Sequence, residues 1–84
     1  MSDLDAQFDA AVADSKTLAT APDQDTMLTM YALFKQAQEG DVTGKRPGFT
    51  NPVGRAKYDA RAKIAGLDSE QAKADYIALV DSLK

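Results

Sequence analysis

The stretch 31-YALFKQAQEGDVTGKRPG-48 starts as an amphipathic helix and finishes as a loop with three glycines, two adjacent cations and a proline. Tyr31, Phe34 and Lys35 stand at i, i+3 and i+4, which puts two aromatic rings and one ammonium on one helical face. Carrying the same period upstream collects Met27 and Met30, and downstream Ala37, so the spacing predicts a helix over 24–39 with one apolar stripe. Taken alone, Tyr31 and Phe34 read equally well as core residues with Lys35 snorkelling past them. About 14 residues, 40–53, then pass before the next periodic segment. Connections this long are uncommon in small domains unless they carry function or are disordered. Pro47 and Pro52 stiffen this one.

Three further helical patterns flank the stretch. Upstream, Leu4, Phe8, Ala11 and Val12 recur at helical spacing, and Leu18 follows before Thr20-Ala21-Pro22-Asp23 ends the run. Downstream, residues 54–65 are more polar: Ala56, Ala60 and Ile64 stand four apart, while Lys57, Arg61 and Ile64 share a neighbouring face. The last pattern opens with Asp68 and Gln71 at capping-box spacing after Gly66, then repeats Ala72, Tyr76, Ile77, Val80 and Leu83. No segment alternates with period two, so the fold class is all-α. Short links make helices 1 and 2, and helices 3 and 4, antiparallel neighbours. A helix over 24–39 is roughly 24 Å long, and the long loop can run back past it at about 3.3 Å per residue. Helices 2 and 3 can therefore run parallel.

Eighty-four residues are too few for two separate cores, so a single domain over 1–84 is expected. The chain has no cysteine and no histidine. That removes disulfides, thiolate metal sites and the commonest metal ligand and general base, and no carboxylate pair stands in an acid/base context. A binding module without catalytic residues or a metal is expected. No apolar run approaches the roughly 20 residues that span a bilayer, and the acidic start MSDLDAQFDA is unlike a signal peptide. These features point to a cytoplasmic protein with no stable membrane insertion. A net charge of −3 disfavours nucleic acid as a partner. The charge is unevenly spread: residues 45–63 hold six cations against the acid Asp59, an excess of five, which leaves −8 on the remainder. Such a distribution reads either as solvated helix faces or as a local anion site on an acidic body.

Several motifs in order carry a resemblance. Tyr31-x-x-Phe34-Lys35-Gln36-Ala37-x-x-Gly40-Asp41 is followed by Arg46-Pro47-Gly48 and then by Gly54-x-Ala56-Lys57-Tyr58-Asp59-Ala60. Phe8, Lys16 and Leu18, Pro22, Met27-Leu28 and Tyr76-Ile77 fall at compatible spacings. From about Leu4 to Lys84 the chain resembles the acyl-CoA-binding proteins.

The resemblance implies an up-down-down-up four-helix bundle and, as ligand, a fatty-acyl thioester of coenzyme A, with no separate cofactor. Helices 1 and 4 would pack through Phe8, Val12, Leu18, Tyr76, Ile77, Val80 and Leu83. Tyr31, Lys35 and Lys57 would bind the phosphates, chiefly the ribose 3'-phosphate, because ammonium and phenol donors form strong bonds to phosphate oxygens. Phe34, Lys16 and Tyr76 would complete the bowl, with Val12 near the adenine, whose faces suit aromatic contact. Met27 and its apolar neighbours would contact the acyl chain. Arg46 is expected to fix the loop by pairing with an acid such as Asp41. Three positions depart from the family pattern: Phe34 replaces a tyrosine, Tyr58 a tryptophan and Ala21 a lysine. They bear on affinity and chain-length preference.

The function expected is a non-catalytic, monomeric carrier and buffer of medium- to long-chain acyl-CoA. An acyl carrier protein is an alternative, since Asp81-Ser82-Leu83 matches its attachment triplet, although that triplet belongs mid-chain at a helix start. A structural module whose basic helix 3 docks an acidic partner is another.

Overall fold

The computed structural model describes residues 3–84, which form four α-helices and no strand: α1 (Asp3–Ser15), α2 (Gln24–Glu39), α3 (Pro52–Lys63) and α4 (Ser69–Leu83). Helix α2 begins where Asp23, in an extended conformation, accepts the N–H of Thr26 at 2.7 Å and so satisfies a donor that a helix start leaves free. It ends at Gly40, whose φ of 81° is rarely adopted by other residues and whose N–H returns to the Gln36 carbonyl. Helix α3 starts two residues before the predicted Gly54. Asn51 accepts the Gly54 N–H at 3.1 Å, and Pro52 sits in the first turn, where its missing N–H costs nothing.

The capping box expected at α4 does not form. Asp68 makes no side-chain cap, and Gln71 Nε2 instead donates to Asp75 Oδ1 one turn ahead, at 2.8 Å.

The helices lie side by side in the order α1, α4, α2, α3: α4 packs on α1 and α2, and α2 packs on α4 and α3. The helices joined by short links, α1 with α2 and α3 with α4, are therefore not the packed neighbours expected, because α4 inserts between α1 and α2. The result is a slab with Cα extents of 38 × 29 × 15 Å. Individual contacts fix the directions. Lys73 pairs with Asp5 near the starts of α4 and α1, and Lys84 with Asp14 near their ends at 2.8 Å, so these helices are parallel. Gln36, late in α2, reaches the Leu67 carbonyl just before α4, so these two are antiparallel. Lys57 meets Tyr31 and Arg61 meets Gly40, so α3 advances alongside α2. The topology is up-down-down-up.

Phe8 and Ala11, Leu33, and Ala72, Tyr76 and Val80 form the core, with Val12, Met30, Phe34 and Ala37 packed around it. The Phe8 ring meets Tyr76 edge-on at 5.2 Å and stacks near Phe34 at 6.0 Å. Leu18 and Leu83, expected in this set, are only partly covered and lie outside the cluster. For Leu18 the cause is local: Ser15 Oγ and Thr17 Oγ1 donate to the carbonyls of Val12 and Asp14, and α1 stops at Ser15.

Helix α2 is flanked on both sides, so its covered surface is wider than one stripe. Leu33 joins the core, Ala32 lines a groove against Ala56 and Ala60 of α3, and Met27, the first member of the predicted stripe, is 55% exposed. Helix α3 has no wholly buried residue.

Candidate functional site

The long loop is held in place by α3. Arg46 forms a fork on Asp59, Nε donating to Oδ1 and Nη2 to Oδ2, each at 2.7 Å. The Tyr58 hydroxyl donates to the Gly44 carbonyl at 3.3 Å, and Arg61 Nη2 to the Gly40 carbonyl at 3.0 Å. Asp59 thus replaces Asp41 as the partner expected for Arg46. Asp41 is already engaged, accepting Gln36 Nε2 at 2.8 Å and the Gly66 N–H at 2.7 Å, which ties the end of α2 to the turn before α4. The Gln36 and Gly66 bonds hold the Asp41 carboxyl below its ordinary range, and the Arg46 fork does the same for Asp59.

A cleft of about 290 Å³ opens between this loop and the α2–α3 seam. Tyr31 comes from α2, Lys57, Tyr58 and Arg61 from α3, and Lys45 from the loop, and no acid lines it. The Lys57 ammonium stands over the Tyr31 ring at 5.2 Å from the centroid, a cation–π contact that presents the phenol and the ammonium together. Lys35, one turn beyond Tyr31, pairs with Glu39 at 2.9 Å. Glu39 raises the Lys35 pKa, while the charge of Arg61 opposes the rise. A pair this open to water is weak, so Lys35 can exchange Glu39 for a stronger anion.

A second groove of about 420 Å³ runs along the same seam. Leu28, Ala32, Ala56, Ala60 and Ile64 give it apolar walls, and Asp25, Asp59 and Lys63 also line it. One seam therefore offers a cationic cleft and an apolar groove, the two environments that a ligand with a phosphate head and an alkyl tail needs.

Of the residues singled out from sequence, Tyr31 and Lys57 are in direct contact and Lys35 lies one turn away. Phe34 and Val12 pack on the core, and Tyr76 lies within it at 4% exposure. Lys16 is exposed just beyond α1, and Met27 is exposed one turn before Tyr31. The sequence reading passed over Gln36, a buried amide set three residues after Leu33, and gave no role to Lys45 or Arg61 in this cleft. Arg61 carried one signal, its place on the Lys57 face. Ser82 lies inside the last turn of α4 with its hydroxyl bonded to the Leu79 carbonyl at 2.6 Å, not at a helix start. Among the described residues no helix is long and apolar enough to cross a membrane.

Topology and site together define a helical ligand-binding bundle. The family model described as Acyl CoA binding protein matches residues 5–80, and the chain belongs to that family. An acyl-CoA-binding protein homolog from Manduca sexta is 46% identical over 81 residues, covering 95% of this chain and 90% of its own. The crystal structure of acyl-CoA-binding protein 2 from Oryza sativa superposes with a TM-score of 0.90 at 39% identity, over 95% of this chain and 87% of that one. The crystal structure of the protein from Moniliophthora perniciosa gives 0.82 at 38% identity, over 94% and 76%.

Proposed function

We propose that this chain, as a single domain over residues 1–84, is a non-catalytic carrier and buffer of medium- to long-chain fatty acyl-CoA esters, working as a monomer in the cytoplasm without a nucleic-acid partner. The observation that carries the reading is the pair of sites between α2 and α3, a cleft lined by Tyr31, Lys45, Lys57 and Arg61 and by no acid, and a groove with apolar walls from Leu28, Ala32, Ala56, Ala60 and Ile64. Tyr31, Lys35 and Lys57 donate to phosphate oxygens. Val12 and Phe34, with Lys16 just beyond α1 and the buried Tyr76 behind them, bound the nucleotide side. The acyl chain follows the groove past Leu28, with Met27 beside its opening. Each buried CH₂ contributes up to ~0.8 kcal/mol, while the phosphates separate the ester from a free fatty acid.

Isothermal titration calorimetry of delipidated protein with palmitoyl-CoA, free CoA and palmitate tests this reading. One-to-one binding is expected, tightest for the ester and weakened in Lys35→Ala. Equal affinity for palmitate and palmitoyl-CoA removes the phosphate site from the mechanism, and absence of binding removes the carrier.

A further inference from the structure

We propose that Arg61 is a specificity residue of the nucleotide site, a second α3 cation beside Lys57 that selects ligands bearing a phosphate monoester. The inference rests on the carrier reading above and adds to it a donor outside the Tyr31, Lys35 and Lys57 set.

Lys57 and Arg61 stand four apart on α3 and line the same cleft, yet neither forms an ion pair with a carboxylate of the described residues. Like charges one turn apart weaken a helix. At Arg46 and Lys35 the chain supplies Asp59 and Glu39 as partners, but on this face of α3 it supplies none. Glu39, the acid that feels the Arg61 charge, is already paired with Lys35, so the two α3 cations keep a positive excess complementary to an anion.

The guanidinium is also fixed in place. Nη2 is tied to the Gly40 carbonyl at 3.0 Å, and Nε is buried with no acceptor. One bond uses one of five N–H donors. Holding a planar fork by one corner lowers the entropy lost when its remaining donors meet an oxyanion. Arg61 lines the same cleft as Tyr31, Lys45 and Lys57, which places its charge among the groups expected to meet the phosphates. A phosphate monoester gains more from such a cluster than a hydroxyl, because it brings up to two negative charges and three acceptor oxygens.

Titration of wild type, Arg61→Gln and Arg61→Lys with palmitoyl-CoA and with 3'-dephospho-palmitoyl-CoA tests the assignment. The ratio of the two affinities is taken within each variant, so any loss of folded fraction cancels. Arg61→Gln is expected to weaken the phosphorylated ester by about five- to tenfold and the dephosphorylated one less than twofold, and Arg61→Lys to keep most of the discrimination. Parallel losses for both esters, or none, make Arg61 only the anchor of Gly40 and overturn the proposal. If Arg61→Gln does not fold, the Arg61 Nε–H resonance of the wild-type protein serves instead. It should shift with palmitoyl-CoA and stay in place with the dephospho ester, and identical responses overturn the proposal. Wild-type protein that binds neither ester removes the carrier reading and this inference together, whereas wild-type binding with unaltered discrimination in Arg61→Gln removes this inference alone.

Discussion

The Lys57 ammonium lies over the face of Tyr31, 5.2 Å from the ring centroid, and joins the two parallel helices across the seam where the ligand is proposed to sit. Ring and hydroxyl of Tyr31 thus have separable roles. Tyr31→Phe keeps the seat for Lys57 and loses one donor, so palmitoyl-CoA binding should weaken by about three- to tenfold. Tyr31→Leu loses the seat as well and should weaken binding by a further factor of about two to five. Calorimetry that finds the two variants equal would show that the ring does not position Lys57.

Gln36 is the largest polar group in the interior, and it joins three segments by donating to Asp41 Oδ1 and to the Leu67 carbonyl from within α2. Gln36→Ala leaves a void and strips both acceptors of a partner. The expected loss is about 2–4 kcal/mol, measured by urea unfolding. A loss under about 1 kcal/mol would mean that water replaces the amide without penalty.

Phe8 is a covered side chain that meets two rings from other helices, Tyr76 on α4 and Phe34 on α2. Phe8→Ala should cost about 3–5 kcal/mol. Set against about 4–13 kcal/mol for a chain of this length, that loss leaves a substantial unfolded fraction near 37 °C, which circular dichroism would register as a much lower melting temperature.

Arg46 is expected to matter to the loop more than to the bundle. Its fork on Asp59 is half exposed and lies away from the core, so Arg46→Ala should leave the melting temperature close to wild type. Amide exchange in residues 42–51 should accelerate, while palmitoyl-CoA still saturates the protein. Loss of saturable binding would make Arg46 a ligand contact instead.

Acid should destabilise the fold through a few identifiable carboxyls. Bonds from Thr26, Gln36 and Arg46 hold Asp23, Asp41 and Asp59 below the ordinary aspartate value of 3.8, and Lys35 does the same for Glu39 against 4.5. A group depressed in the folded state binds protons more readily when unfolded, so its contribution is complete above the unfolded value and declines as pH falls through it towards the folded one. Melting temperature should therefore hold level down to about pH 5 and fall below about pH 4. Asp41→Asn, which retains an acceptor for Gln36 or Gly66, should flatten that fall. At the alkaline end Lys35, Lys73 and Lys84 sit above 10.5, each raised first of all by its carboxylate partner, so their contribution is present below that value and disappears as pH rises through the folded ones.

The helices were legible in the sequence because their signals are local. The Met30, Phe34 and Ala37 spacing, the stop at Gly40 and the parallel course allowed by the long loop all appear in the structure. Partner choice was not local. Arg46 found Asp59 rather than Asp41 because the loop runs back along α3, and Gln71 found Asp75 before it could reach the Asp68 backbone. The width of the covered surface on α2 was illegible for a related reason. Period analysis finds one face, whereas α2 has a neighbour on each side, which places Ala32 and Gln36 inside and leaves Met27 outside. At the site, the motif named Tyr31 and Lys57, and helical spacing put Arg61 on the Lys57 face, but only the packing of α3 beside α2 sets that face against Tyr31.

Helix α3 supplies two of the cations facing the cleft and none of the wholly buried side chains. Most of its surface can therefore be rewritten with little penalty to the bundle, which the other three helices hold together around Phe8, Leu33, Tyr76 and Val80. For anyone who wishes to retarget the cleft to a different head group, or to graft a reporter dye beside it, α3 and its loop form an interchangeable panel on a fixed chassis.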